Sequence, residues 1–141
     1  MTTQEAIKNQ AAWVAQILSS EGYLLDFTIR SFKELDRLFT EHSVNGRATT
    51  WLRAYPRSIM FAMGAYVGET LLRNIAGTEW QLENDEMLPD ENVGLQLPSG
   101  LVCWPMSRVI NRLHSGEAYA IHSYGNMLYQ FSQPHQSGGS S

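Results

Sequence analysis

Apolar residues along this chain first recur at helical spacing, then run almost without interruption, then alternate, and finally return to helical spacing. Ile7, Ala11, Val14 and Leu18 form one stripe that Trp13 and Ile17 widen. Thr2 with Glu5 three residues on has capping-box spacing, and Gly22 is a stop, so a first helix is predicted between them. After an extended piece from Tyr23 to Thr28, Ser31 and Glu34 repeat that spacing, and Phe32, Leu35 and Phe39 predict a short amphipathic helix through about His42. Asn45-Gly46 signals a turn, and Pro56 suits the first turn of a long helix to about Ala76. Met60, Met63, Val67, Leu71 and Ile75 make one face of that helix and Ile59, Ala62 and Tyr66 another, the pattern of a helix in the middle of a domain. Gly64 and Gly68 sit one turn apart on it, and each costs roughly 1 kcal/mol relative to alanine, which is tolerated where a second element must approach closely.

Gly77 ends the long helix, and the spacing changes to two. Trp80 with Leu82 predicts a strand, and Leu95 with Leu97, then Leu101 with Cys103 around Pro98-Ser99-Gly100, predict a hairpin. Pro105 closes the last strand. Met106, Val109, Ile110 and Leu113 suit a helix stopped by Gly116, and 118–131 suits a final helix with Tyr124, Leu128 and Phe131 on one side, weakened by Gly125. The expected fold is α+β: two N-terminal helices, a long central helix, a small antiparallel sheet of about three strands and two C-terminal helices. Residues 1–132 are expected to form one domain and the Ser-, Gly- and Pro-rich 133–141 a disordered tail.

A chain of 141 residues can bury about 70% of its unfolded surface, so a core is attainable without disulfides. The single cysteine, Cys103, has no internal partner and reads as a small buried hydrophobe, with the cytoplasm as the expected compartment. Glu69 and Arg73 interrupt the only long apolar run, well short of the roughly 20 residues a bilayer requires, so no membrane span is expected. Net charge is −4 and unevenly placed: 74–107 carries six carboxylates and no Lys or Arg, while 42–68 carries Arg47, Arg53 and Arg57 and no acid.

Chemistry is harder to find. His42, His114, His122 and His135 form no HxxxH or HExxH pair and no zinc spacing with Cys103, so neither metal nor cofactor is expected. No nucleophile elbow, phosphate loop or dinucleotide fingerprint is present, and an apolar strand is a poor place to lower the Cys103 thiol pKa. The run Glu83, Asp85, Glu86, Asp90, Glu91 lacks calcium-loop spacing and reads as a charged connection between strands or a partner-binding surface centred on Asp85, Glu86, Asp90 and Glu91. Three arginines interleaved with Trp51 and Tyr55 could grip phosphates, but an acidic chain makes nucleic acid an unfavoured partner.

The stretches GAYVGETLLRNIAGTEW and VCWPMSRVINRLHSGE resemble an uncharacterised bacterial domain family with an LGxxLGE helix, a Gly-x-x-Trp strand entry and a Pro-initiated helix. Gly64, Gly68, Glu69, Trp80, Pro105, Arg112 and Gly116 stand at the pattern positions, and the resemblance, over about 58–126, implies a fold and no activity. The leading functional reading is a small bacterial interaction module, a neutralising or immunity-type partner of a basic protein. The alternatives are an enzyme using Glu69 with Arg112 or a histidine, and a homodimer joined through spare apolar surface on the long helix.

Overall fold

The computed structural model describes residues 2–44, 47–48, 57–82 and 93–133. The Asn45-Gly46 turn, Pro56, the acidic run and the tail beyond 133 lie outside the described residues. Helix α1 is Thr3–Ser20, and its capping box is closed in both directions: the Thr2 backbone N–H donates to Glu5 Oε1 at 2.8 Å, and the Glu5 N–H donates to the Thr2 hydroxyl at 3.1 Å. Gly22, at φ +97°, lets the chain leave the helix. Ile7, Ala11, Val14 and Leu18 are buried, but Trp13 is 41% exposed. The contacting face of α1 is thus narrower than expected, and Trp13 lies on its flank.

Helix α2 is Phe32–His42, and the second expected capping box is absent. Ser31 is itself helical (φ −65°, ψ −14°) and its hydroxyl is already used, donating to Thr28 O at 2.6 Å with the Tyr66 hydroxyl 2.6 Å away. Thr28 caps instead, one short 3-10 turn earlier (Ile29–Ser31), by accepting from the Ser31 N–H at 3.2 Å. Glu34 pairs with Arg37 at 2.7 Å.

Two-residue strands β1 (Ser43–Val44) and β2 (Arg47–Ala48) pair antiparallel. The long helix α3 is Arg57–Asn74, and every residue from Phe61 to Leu71 is buried, with α1 packed against it. Most of its apolar surface is therefore used within the chain, with Met60 and Leu72 only partly buried. Glu69 and Arg73, four residues apart, do not pair: Glu69 is buried, and the Arg73 guanidinium lies 3.7 Å from the centroid of the Phe27 ring.

Strands β3 (Glu79–Gln81), β4 (Gly94–Gln96) and β5 (Val102–Cys103) form an antiparallel sheet in that order. The turn between β4 and β5 is held by the Leu97 N–H donating to Leu101 O and the Gly100 N–H donating to Leu97 O, with Gly100 at φ +95°. Helix α4 (Pro105–Ser115) begins on Pro105, whose missing N–H costs nothing in a first turn, and packs on α3. The final helix starts later than 118: residues Gly116–Tyr119 form a 3-10 turn, and α5 is Ile121–Ser132. Of its expected face, Leu128 is buried and Phe131 is 76% exposed. The fold is α+β, and among the described residues no helix is long and apolar enough to cross a membrane.

Candidate functional site

The pattern residues of the long helix meet in the interior. At Gly64 an added Cβ would lie 2.6 Å from the Met106 Cα, so the start of α4 sits on this glycine; at Gly68 it would fall inside the Trp80 indole. One residue on, Glu69 is 1% exposed, and its Oε2 accepts from the Trp80 indole N–H at 2.9 Å. Its Oε1 has no hydrogen-bond partner among the described residues. Gly68 and Glu69 together thus seat one tryptophan, the first admitting the ring and the second fixing its nitrogen.

Arg112 does not join Glu69. It is 3% exposed and points to α2, where Nε donates to Asp36 Oδ1 at 3.0 Å and a terminal nitrogen donates to Asp36 O at 3.1 Å and the Thr40 hydroxyl at 3.0 Å. Asp36 also accepts from the Ile121 N–H at 2.8 Å and the His122 N–H at 2.9 Å. A side chain of α2 therefore caps α5, which otherwise has no side-chain cap, while holding the buried cation of α4. Gly116, at φ +73°, ends α4, and nothing lies within 4 Å of where its Cβ would be. Glu69 and Arg112, paired in the enzyme reading, thus have separate structural partners.

A second polar network clasps α2 to the segment after α1. The Tyr23 hydroxyl donates to Glu41 Oε1 at 2.5 Å, and His42 Nε2 lies 2.9 Å from that tyrosine hydroxyl oxygen. A phenol has one proton and a carboxylate accepts only, so His42 donates here through Nε2. Arg37 completes the cluster, bonding Glu34, Glu41 and the Gly22 carbonyl with its guanidinium 4.4 Å from the Tyr23 ring centroid. Burial first, and then the bond to Glu41, push the Tyr23 pKa up to about 12, while the Tyr23 bond holds Glu41 below the usual carboxylate range. A phenol so hard to ionise and a carboxylate so well satisfied make a clasp rather than a base.

Cys103 is buried, and that burial raises its thiol pKa. The Tyr124 hydroxyl is its hydrogen-bond neighbour, and burial likewise raises the Tyr124 pKa. Among the described residues no group of three His, Cys, Asp or Glu side chains could hold a metal ion.

The surface differs at the end of the sheet where Gln81 pairs with Gly94. Here the chain leaves β3 for the connection that carries Glu83, Asp85, Glu86, Asp90 and Glu91, which lies outside the described residues, and re-enters at Val93. Trp104 follows β5 and remains 47% exposed, its indole against Gly94 with ring atoms 3.2 Å from where a Cβ would be. A large aromatic surface thus stands beside the exit of the most acidic stretch of the chain. Alternation carried a signal for this: with Cys103 inward, Trp104 must face outward. Asp36 left none, because its partners lie 76, 85 and 86 residues away. Comparison with family models, with curated proteins and with solved structures finds no match to this chain.

Proposed function

We propose that this protein is a small interaction module, of the neutralising or immunity type, that binds a basic protein through the end of the sheet where Trp104 is exposed and the acidic connection leaves. The observation that carries this reading is the placement of Trp104, 47% exposed against Gly94, whose pairing with Gln81 marks the foot of that connection. Tryptophan is the residue most often found at the energetic centre of an interface, and a surrounding field of one sign selects the partner and speeds encounter. The enzyme alternative has less to stand on: Glu69 is buried and bonded to Trp80, and Arg112 is held by Asp36, so neither meets a substrate in this arrangement. The test is capture from the native host with three baits: wild type, Trp104→Ala, and a variant with Asp85, Glu86, Asp90 and Glu91 changed to Asn or Gln. The reading expects a basic protein retained by wild type and lost or diminished with both variants. A partner retained equally by all three contradicts it.

A further inference from the structure

Arg108, one turn into α4, lies against two tyrosines: its guanidinium carbon is 4.0 Å from the ring centroid of Tyr124 on α5 and 5.1 Å from that of Tyr119 in the 3-10 turn. The other arginines with described ion pairs reach carboxylates, Arg37 to Glu34 and Glu41 and Arg112 to Asp36, whereas Arg108 has no such partner among the described residues. It is also only half-buried, and Tyr119 is 37% exposed, so this cation and one of its rings both reach the surface. Ring contacts of this kind satisfy the π-faces of a guanidinium and leave its in-plane N–H donors unspent. The Arg108 backbone N–H donates to Trp104 O at 3.0 Å, which fixes the start of the side chain relative to the exposed tryptophan.

From this arrangement we infer that Arg108 is a binding site for a single carboxylate, gripped by the in-plane donors, with Tyr119 supplying apolar contact to the rest of the molecule. The charge argues for a carboxylate over a phosphate dianion. One guanidinium balances one negative charge, no second cation is described against the same two rings, and the planar fork matches a carboxylate with two parallel bonds. Pre-positioning by two rings lowers the entropy lost on binding, which is what an exposed, unstacked arginine lacks. The inference does not rest on the proposed basic partner: the site would accept an acidic side chain of a bound protein or a small carboxylic acid.

The experiment is an NMR titration that follows the Arg108 Nε–Hε resonance of wild type, Arg108→Lys, Arg108→Gln and Tyr119→Ala. The probes are benzoate and a short glutamate-containing peptide, with inorganic phosphate and chloride as controls. The site predicts a saturable Hε shift with a carboxylate probe that exceeds the response to phosphate or chloride at equal ionic strength. Ring and backbone signals of Tyr119 should move with it, and affinity should fall roughly tenfold in Tyr119→Ala and more in Arg108→Lys, which keeps the charge but loses the fork. A response to benzoate alone identifies a small-acid site, and a response to the peptide as well identifies an acidic partner segment. No saturable shift in wild type, a response equally strong with chloride, or undiminished Tyr119 shifts in folded Arg108→Gln overturns the inference and leaves Arg108 as a strut between α4 and α5.

Discussion

Asp36 accepts from Arg112 Nε at 3.0 Å and, with the same carboxylate, from the Ile121 and His122 backbone N–H groups at 2.8 and 2.9 Å. Three helices converge on this one carboxylate. Asp36→Ala removes both the counter-ion of a buried guanidinium and the cap of α5, and is expected to cost about 3 to 5 kcal/mol plus up to about 2 kcal/mol for the cap. Arg112→Met costs less, because Asp36 keeps its two backbone donors and is partly open to water. Denaturant midpoints of the two single variants and the double variant measure this, and an Arg112→Met loss equal to that of Asp36→Ala would mean that capping adds nothing.

The glycine pair on α3 has no room for even a methyl group. Gly64→Ala meets the Met106 backbone, which no rotamer change relieves, and Gly68→Ala meets the rigid Trp80 indole. Both are expected to destabilise by about 1 to 3 kcal/mol despite the better helix propensity of alanine. Equilibrium unfolding checks this, and the Gly68→Ala penalty should shrink in a Trp80→Phe background, where the overlapping ring atoms are gone.

Trp80→Phe also leaves the buried Glu69 carboxylate without its one described donor. The expected loss is about 1 to 3 kcal/mol for the orphaned group, beyond the smaller ring. Adding Glu69→Leu should recover part of that loss by removing the polar group altogether. A double variant no more stable than Trp80→Phe would show that the carboxylate is satisfied in another way.

Alkaline pH should unfold the protein through its tyrosines. Tyr23, with its pKa raised to about 12, and Tyr66 and Tyr124, also raised, hold their protons more tightly when folded than the ordinary value near 10. Their contribution is complete below the unfolded pKa and is lost as pH rises through the folded values. Stability measured between pH 9 and 12 should therefore fall, and less steeply in Tyr23→Phe. At the acid end the opposite sign holds for Glu41, whose lowered pKa gives a contribution present above the unfolded value and lost as pH falls through the folded one. In Tyr23→Phe the Glu41 titration, followed by NMR, should move upward.

What could be read in advance was what short stretches determine. Thr2 with Glu5, the turn at Gly100 and the Pro105 helix start are local, so spacing sufficed. The second capping box failed because the Ser31 hydroxyl is engaged by Tyr66, 35 residues away. The enzyme reading pairs Glu69 with Arg112 or a histidine, yet the tertiary fold supplies an indole. The last helix began late because Asp36, distant in sequence, holds its first two described N–H donors. Arg108 was legible only as a charge on an amphipathic helix, since the tyrosines beside it come from two other elements.

The central claim concerns a surface on which the acidic connection attracts a basic partner and Trp104 anchors it. The most direct test is the association and dissociation rates of the captured partner with wild type, Trp104→Ala and the variant neutralised at Asp85, Glu86, Asp90 and Glu91, measured across ionic strength. Neutralisation is expected to slow association by about tenfold or more at low salt and to flatten the salt dependence, with dissociation little changed. Trp104→Ala should instead speed dissociation by roughly tenfold or more, as loss of an interface anchor does. Rates that match wild type for both variants at every salt concentration would contradict the account.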